Sequence, residues 1–458
     1  SQTITIRGDV THLSCYENQL TSLDVSGCTT LKELWCYKNQ LTSLDVSGCT
    51  SLLELYCYSN QLTSLDVSGC TALTTLYCYD NQLVSLNVSG CTALTTLGCY
   101  NNQLTSLDVS GCTALTKLEC YDNQINGENM TKLVNSLPDR KGMSSGTLRV
   151  VEYSSEKTDK NWCSFADVTT ASEKNWIVQK YERSDWKSYP GVGESVITMT
   201  TSKAVGGKVE LGFVANGDVV IEGVSEMPQL GRNRNSYTLT SQTITIRGDV
   251  ISLDCSYNQL TSLDVSSCTA LTTLGCGSNQ LTSLDVSSCT ALTTLGCSYN
   301  QLTSLDVSGF TALTELWCKE NQLTSLNVSG CTALTKLYCN NNQLTNLNVS
   351  DCTALTQLTC YDNPLTRIDL SNCKSLKEFT WNKKELTSLD VSGCTALTKL
   401  DCNENQLTSL KVSGCTALTE LGCYGNQLTS LNVSGCTALT ELDCNNNQLI
   451  NLDVSNCT

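Results

Sequence analysis

The most regular feature of the chain is an apolar pattern that repeats every 21 residues, first from Val10 and again from Val250. Each unit reads LxxLxCxxNQLTSLDVSGCTA with few changes. Apolar and polar residues alternate over LxxLxC, which is typical of a short parallel strand, and the later Leu, Val and Cys positions bring the chain round the far side. One coil cannot bury its own apolar face, so neighbouring coils are expected to stack around a shared core.

The pattern divides into two arrays, six units in residues 10–125 and ten units in residues 250–458. No insertion interrupts the second array, so each of its residues is expected to lie directly above its equivalent in the preceding unit. The units after the first begin at Leu31, Leu52, Leu73, Leu94 and Leu115, and at Leu271, Leu292, Leu313, Leu334, Leu355, Leu376, Leu397, Leu418 and Leu439.

The repeat resembles the leucine-rich repeat, whose signature LxxLxLxxNxL it matches with Cys in place of the third Leu. Its short period and its LxxLxVS second half look most similar to the internalin-like repeats of bacterial surface proteins, although the cysteines and the DVSGC segment depart from that pattern. The resemblance implies a leucine-rich-repeat solenoid in two tandem arrays. Such a solenoid is a parallel β-sheet wound as a right-handed superhelix, mostly β with a few capping helices.

The segment that follows the first array, residues 126–182, is interpreted as helix-containing cap repeats. Its apolar spacing predicts helices at 129–137 and 165–174 and strands at 148–151 and 176–178. A cap of this kind covers the core and the strand edge that the last coil would otherwise expose.

A polar stretch around Pro190 then marks residues 183–195 as a linker. Residues 196–249 are interpreted as a β-rich N-terminal cap of the second module. The strands predicted for this cap are 197–199, 208–214, 218–221 and 237–246.

The sequence SQTITIRGDV occurs twice, at 1–10 and at 241–250. Residues 1–9 are therefore expected to be the last strand of a truncated β cap. This repetition favours a fragment of a longer tandem protein in which each module has a β cap, a repeat array and a helical cap.

The formal net charge of −16 argues against a nucleic acid partner, because phosphate backbones are bound by clustered Lys and Arg. No apolar stretch is long enough to span a bilayer. The motifs of nucleophilic, acid–base or phosphate-binding sites are absent, and the chain has a single histidine, His12. The sequence predicts no enzyme, no cofactor and no metal site.

Thirty cysteines would ordinarily suggest disulfides or zinc, but nearly all of them fall on two ladders, represented by Cys36 in the strand and Cys49 on the return. Core packing of free thiols is favoured over both alternatives, because the same positions accept Trp381 and Phe310. Cys163 lies off the ladders and is the one cysteine to be considered for reactivity.

Three further patterns recur. An asparagine ladder that includes Asn39 and Asn60 is expected to satisfy backbone groups where each strand ends. An exposed file that includes Asp24 is interpreted as a hydrogen-bonded surface, with bound calcium as the alternative. The unit containing Phe379 and Trp381 is expected to be locally distorted, through sequence drift or, less favoured, for a function.

The main candidate site is an aromatic stripe expected on the concave sheet of the first array. It consists of a file at Tyr16, Tyr37, Tyr58, Tyr79, Tyr100 and Tyr121 and a neighbouring file at Trp35, Tyr56 and Tyr77. Exposed Tyr and Trp are enriched at interface centres, but cross-strand stacking that stabilises the sheet is an equal alternative. Secondary candidates in the second array are Trp317, Tyr338 and Tyr361.

These features favour a non-catalytic binding protein on the surface of a bacterial cell or secreted from it, which recognises a protein ligand or mediates adhesion. Two alternatives stay open. Flat aromatic rows also stack on sugar rings, so a glycan is the alternative partner. The arrays could also serve only as a structural spacer within a larger surface protein.

Overall fold

The computed structural model describes residues 8–154, 157–182, 185–226, 228–381 and 385–457. The chain forms two compact units, Ser1–Glu194 and Ser195–Thr458. Of the strand expected at 1–9, residues 1–7 lie outside the described part.

The first unit is built on a parallel sheet with one short strand per coil. Equivalent residues 21 positions apart pair in register, as Leu34 does with Leu55 and Leu55 with Leu76. The strands are His12–Ser14, Glu33–Trp35, Glu54–Tyr56, Thr75–Tyr77, Thr96–Gly98 and Lys117–Glu119. The central leucine of each strand after the first is fully buried, which fixes the outward direction of its two neighbours.

The return side of the first array carries shorter β pairing. Strands Ser64–Asp66 and Ser85–Asn87 form a two-stranded parallel sheet, and Asp24 and Asp45 form an isolated bridge. Buried valine and cysteine side chains of this side meet the strand leucines in the core.

The sheet of the first unit continues without a break into the helix-bearing segment. Its helices are Gly127–Ser136 and Phe165–Glu173, and its strands are Gly146–Ser154, Lys157–Thr158, Trp176–Glu182 and Asp185–Ser188. Both helices and the strands expected at 148–151 and 176–178 are confirmed at these positions. Asp185–Ser188 lies in the segment interpreted as a linker, yet it pairs antiparallel with Trp176–Glu182.

The second unit begins with a β structure around one long strand, Thr243–Asp254. This strand pairs antiparallel with two strands of the cap and parallel with the first strand of the array, so the cap and the array share it. The other strands of the region are Val196–Thr201, Lys208–Glu222, Gly231–Thr238 and Leu260–Asp264.

Two strand predictions in this cap were wrong in detail. The strands expected at 208–214 and 218–221 form a single strand. The register of its pairing with Thr243–Asp254 shifts along its length. The strand expected at 237–246 is interrupted between Thr238 and Thr243, and its two parts pair antiparallel with opposite sides of Lys208–Glu222.

The remainder of the second unit is a second parallel array. Its facing strands are Thr273–Gly275, Thr294–Gly296, Glu315–Trp317, Lys336–Tyr338, Gln357–Thr359, Glu378–Thr380, Lys399–Asp401, Glu420–Gly422 and Glu441–Asp443. Its return strands are Ser304–Asp306, Ser325–Asn327, Arg367–Asp369, Ser388–Asp390, Ser409–Lys411, Ser430–Asn432 and Asn451–Asp453. The predicted fold class, a leucine-rich-repeat solenoid that is mostly β, is confirmed.

Candidate binding surface

At the end of each strand of the parallel sheet, one side chain points outward, and the backbone bend that follows fixes its direction. After the buried Cys36, Tyr37 points outward, Lys38 takes a left-handed backbone conformation with φ of 52°, and Asn39 turns back inward. The same left-handed residue recurs in every coil of the first array, at φ between 51° and 53°. This repeated bend keeps the outward residues in one file.

The inward asparagine holds the bend through its amide. Asn39 Nδ2 donates to the carbonyl oxygens of Cys15 at 2.9 Å and Cys36 at 3.1 Å, and Asn39 Oδ1 accepts from the backbone N–H of Leu20 at 3.1 Å. One side chain therefore joins two coils and satisfies backbone groups that the turn leaves without a partner. The expected asparagine ladder is confirmed.

The six tyrosines that follow the strand cysteines form one continuous stack, here called the tyrosine stack. Neighbouring ring centroids are 4.3 to 4.4 Å apart, and their planes differ by 6° to 11°. Its members are Tyr16, Tyr37, Tyr58, Tyr79, Tyr100 and Tyr121. Because each ring covers the face of the next, the stack presents ring edges and hydroxyl groups to solvent.

The neighbouring file is shorter and less regular. Trp35 stacks on Tyr56 at 5.7 Å, and Tyr56 meets Tyr77 at 5.5 Å. Tyr77 then contacts Tyr79 edge to face at 6.1 Å, which joins the two files into one aromatic surface. The file ends at Gly98, which has no side chain. The Tyr77 ring occupies the space there, because a Cβ on Gly98 would lie 2.5 Å from it.

The aromatic surface extends beyond the residues that the sequence predicts. Trp186 lies 5.1 Å from Tyr121 and 5.4 Å from Tyr181, measured between ring centroids. The guanidinium of Arg149 lies 4.4 Å from the Trp186 ring and pairs with Glu119 at 2.6 Å. The only sequence signal was a tryptophan inside a polar stretch that reads as a linker.

Stacking changes the acidity of the phenols. Burial, with Tyr58 and Tyr16 on either side, raises the pKa of Tyr37 to about 12. Burial also raises the pKa of Tyr79, Tyr100 and Tyr121. A phenolate in the stack would lose hydration and face neighbouring hydroxyl oxygens, so the surface stays uncharged over the physiological range.

The aspartate file has a structural role in the turns of the return side. Asp24 Oδ1 accepts from the Ser26 side chain at 2.7 Å and the Ser26 backbone N–H at 3.1 Å, and these bonds lower the pKa of Asp24. Asp45 accepts from the Ser47 N–H in the same way, at 3.0 Å. Among the described residues no group of three or more His, Cys, Asp or Glu side chains is arranged to hold a metal ion.

The ladder cysteines belong to the core, as the sequence predicts. On the return side Cys70 Sγ donates to the carbonyl of Val46 at 3.4 Å, and burial raises the pKa of this thiol to about 12. Cys163 is also fully buried, and burial raises its pKa well above the ordinary value. A protonated, inaccessible thiol is unreactive, so the suggestion of reactivity at Cys163 was wrong.

The secondary candidates of the second unit lie together on its facing sheet. The ring of Trp317 lies 5.2 Å from that of Tyr338, and Tyr338 and Tyr361 line a cavity of about 870 Å³. The coil that follows has Phe379 and Trp381 in its core, and its strand pairs with the preceding strand through Glu378 alone, so it is distorted as expected.

The repeat register and the in-register parallel pairing together define a leucine-rich-repeat solenoid. No protein-family model and no curated protein matches the chain. Among solved structures the chain is similar to the functional domain of InlJ from Listeria monocytogenes, which includes a cysteine ladder, at 28% identity over 95% of this chain and 67% of that one, with a TM-score of 0.37.

Two other bacterial proteins are similar at lower identity. The leucine-rich-repeat protein LIC12759 of Leptospira interrogans is 17% identical over 96% of this chain and 91% of its own, with a TM-score of 0.32. The internalin InlF of Listeria monocytogenes is 18% identical over 89% and 84%, with a TM-score of 0.25.

Proposed function

We propose that the chain is a non-catalytic binding protein, displayed on or secreted from a bacterial cell, that recognises a protein partner through the aromatic surface of its first unit. The observation that carries this proposal is the tyrosine stack. It is a long, uncharged row of ring edges and hydroxyl groups on a rigid sheet, and rigid tyrosines contribute much of the energy at protein interfaces. The bacterial location rests on the internalin-like repeat pattern alone.

The stack geometry favours a protein partner over a glycan. Sugar recognition by aromatic residues uses an open ring face, whereas the faces within the stack are covered by neighbouring rings 4.3 to 4.4 Å away. Hydroxyl groups along the row offer donors and acceptors to a polar partner surface, and ring edges offer apolar contact. Among the described residues no helix is long and apolar enough to cross a membrane.

The proposal is tested by measuring how tightly the full chain binds to target cells that display surface proteins. Replacing Tyr37, Tyr58 and Tyr79 together by Ala should weaken binding at least about tenfold, because such anchors each contribute on the order of 1 kcal/mol or more. The matched control replaces Tyr257 and Tyr299, which are exposed tyrosines of the second unit, and should leave binding unchanged.

Two treatments of the target cells distinguish the partner classes. Protease digestion should abolish binding, and periodate oxidation of glycans should leave it intact. Binding that survives both the triple substitution and protease treatment would contradict a protein partner at this surface. The spacer alternative requires that deletion of whole coils from the first array leaves adhesion unaffected.

A further inference from the structure

Two neighbouring coils of the second unit lack a side chain at a strand position where other coils carry an aromatic ring. Gly275 and Gly296 occupy this position, whereas the next two coils have Trp317 and Tyr338 there. The strands pair in register, Gly275 with Gly296 and Gly296 with Trp317. The aromatic row of this sheet therefore ends at Trp317, beside a stretch of sheet that has no side chain at the same position.

Trp317 presents an open ring face to this stretch of sheet. Its Nε1 donates to Glu315 Oε2 of the same strand at 3.3 Å, so the indole lies along its own coil and its two faces point to the neighbouring coils. Tyr338 lies against one side, with ring centroids 5.2 Å apart. On the other side a Cβ on Gly296 would meet only backbone atoms, the nearest at 3.9 Å, so the indole does not lie over this glycine. The indole is 43% exposed.

The aromatic row of the first unit ends at a glycine in the opposite way. There Tyr77 lies over Gly98, because a Cβ on Gly98 would be 2.5 Å from the ring. The inner rings of the tyrosine stack are likewise covered by their neighbours on both sides. Trp317 therefore offers an open ring face that those inner rings do not offer, and an open face is what stacking on a sugar ring requires.

Polar atoms gather over the first of the two glycines. Asp254 Oδ1 and Ser256 Oγ would lie 3.3 Å and 3.6 Å from a Cβ on Gly275, so both groups reach over that residue. Asp254 Oδ1 accepts from the Ser256 backbone N–H at 3.0 Å, which fixes the carboxylate. Its second oxygen and the Ser256 hydroxyl form no hydrogen bond with any residue that the structure describes. Both can therefore bond the hydroxyl groups of a ligand.

Ser298 adds a buried hydroxyl beside the second glycine. It lies two residues after Gly296, on the outward side that Cys297 leaves by pointing into the core. Ser298 is only 9% exposed, and its Oγ has no hydrogen-bond partner within the described part of the chain. A buried hydroxyl without a partner costs free energy and is uncommon in folded proteins. A hydroxyl group of a ligand would supply the partner that the folded chain does not.

The charges around the two glycines favour a neutral ligand. The Asp254 carboxylate would repel an acidic sugar or a phosphate. Arg234 pairs with Glu210 at 2.6 Å, and Lys319 Nζ lies 5.4 Å from the Tyr299 ring centroid, so both cations are engaged with other side chains. Uncharged hydroxyl groups, in contrast, can donate to the carboxylate.

We propose that the second unit binds a neutral saccharide between Asp254 and Trp317, with Gly275 and Gly296 as the floor of the site, here called the glycine trough. One pyranose ring lies on the open face of Trp317 above Gly296, in the place that the next ring takes in the tyrosine stack. Its other side meets the Asp254 carboxylate, which reaches over Gly275 from the adjacent coil, and its hydroxyl groups donate to that carboxylate. An aromatic platform with a few polar groups around it is typical of small-ligand sites.

The glycine trough differs from the tyrosine stack in position and in the class of its ligand, and it does not rest on the function proposed for the first unit. One sugar ring buries much less surface than a protein partner does, so the trough is the weaker site. It therefore does not support the cell binding that is assigned to the tyrosine stack.

Saturation-transfer NMR of the full chain tests the proposal, because it detects weak ligands. The probes are neutral oligosaccharides at millimolar concentration, namely cellotriose, maltotriose, lactose, chitotriose and mannobiose. At least one of them should receive saturation, and the effect should be strongest on the C–H protons of one face of a pyranose ring. Sialyllactose, which is the acidic counterpart of lactose, should receive less saturation than lactose does.

Two variants change the ring face in opposite ways. Trp317→Ala removes the platform and should weaken the best sugar by at least about tenfold in a titration. Gly296→Tyr covers the platform with a ring, as Tyr338 does on the other side, and should abolish binding. Because this repeat position accepts aromatic residues in other coils, the Gly296→Tyr chain should fold, and its urea denaturation should match that of the natural chain. The matched control is Tyr361→Ala, since Tyr361 is 41% exposed, and it should change the affinity by no more than about twofold.

Several results would overturn the proposal. Saturation of none of the sugars, or equal saturation in the natural chain and in the Trp317→Ala and Gly296→Tyr chains, would exclude the glycine trough as a saccharide site. A preference for sialyllactose would contradict the neutral class of ligand. Saturation of a hexaproline peptide, but of no sugar, would assign the open ring face to a peptide instead. Each of these results leaves the tyrosine stack untouched, because its variants and its cell-binding measurement concern the first unit.

Discussion

At the scale of single residues, each bend that ends a facing strand of the first array depends on one inward asparagine. Asn60 Nδ2 donates to the carbonyls of Cys57 at 3.0 Å, Cys36 at 3.1 Å and Tyr58 at 3.3 Å, and its Oδ1 accepts from Leu41 N–H at 3.0 Å. The amide therefore connects consecutive coils as well as closing its own. No other side chain of similar size offers both donors and an acceptor in this position.

Replacing Asn60 by Ala should lower the free energy of unfolding by about 2 to 4 kcal/mol, because buried backbone groups lose their partners. Urea denaturation of the full chain measures the effect. The control is Gln61→Ala, whose side chain is exposed and should change stability by no more than about 0.5 kcal/mol. Equal effects at the two positions would show that the ladder contributes little.

The aromatic surface of the first unit makes a prediction about pH. Because the folded state raises the pKa of Tyr37 and Tyr56 to about 12, it holds their protons more tightly than the unfolded chain does. The resulting stability is complete below the ordinary tyrosine pKa of about 10 and is lost as the pH rises through about 12. Absorbance of phenolate at 295 nm should rise later in the native chain than in urea, and coincident titrations would contradict the stacking.

At the scale of the repeat element, the return turns of the first array pack so closely that several glycines at one repeat position leave no room for a Cβ. A Cβ on Gly48 would lie 1.9 Å from the Ser26 carbonyl oxygen of the preceding coil, and a Cβ on Gly111 would lie 1.9 Å from the Ser89 oxygen. The coil spacing at this position is therefore set by backbone contact.

Gly48→Ala should consequently destabilise the chain by about 1 to 3 kcal/mol, since the turn must shift away from its neighbour. Gly27 supplies a matched control at the same repeat position, because a Cβ there would meet nothing within 4 Å. Thermal unfolding of the two single variants compares them directly. A Gly27→Ala chain that loses as much stability as Gly48→Ala would contradict the close packing between turns.

The repeat pattern is sufficient to predict the regular coils, but it does not predict the elements that depart from the repeat. The inward position of Cys36 and the outward position of Tyr37 follow from alternation alone, so the aromatic files could be placed from sequence. Strand Asp185–Ser188 could not, because it is a short polar edge strand with no apolar alternation. The position of Trp186 beside the tyrosine stack depends on that strand, and therefore could not be inferred either.

The reduced strand pairing beside Phe379 is a second example of this limit. The sequence indicates a distortion, because two large residues replace Leu and Cys. It does not indicate which neighbouring coil is displaced. Excess core volume can be relieved by moving either neighbouring coil. In the structure Trp381 N–H keeps its bond to the Asp401 carbonyl, whereas Cys360 N–H has no bond to the Thr380 carbonyl, and this outcome depends on packing that no single unit encodes.

At the scale of the whole molecule, both units use the same core chemistry and differ in their outer surfaces. The strand ladder and the return ladder bury cysteines in each unit, and Trp381 and Phe310 are packed at ladder positions. The first unit presents stacked tyrosines after its strand cysteines, whereas the equivalent positions of the second array include Ser256, Gly277 and Ser298. The solenoid core is therefore constant while the recognition surface varies.

This shared core predicts how the thiols react. Only four of the 30 cysteines are partly exposed, namely Cys15, Cys28, Cys444 and Cys457. Burial raises the pKa of core thiols such as Cys57 to about 12, which suppresses the reactive thiolate at neutral pH. Ellman's reagent should therefore detect no more than about four thiols in the native chain, and all 30 once the protein is denatured without reductant.

Two single variants check which thiols respond. Cys15→Ser should remove one native equivalent, because this thiol is partly exposed, whereas Cys78→Ser should remove none. A shortfall from 30 in the denatured chain would reveal disulfides, and rapid native reaction of most thiols would show that the coils open in solution. Slow release of the remaining thiols, at a rate that follows global unfolding in urea, is expected because the ladders lie in a continuous core.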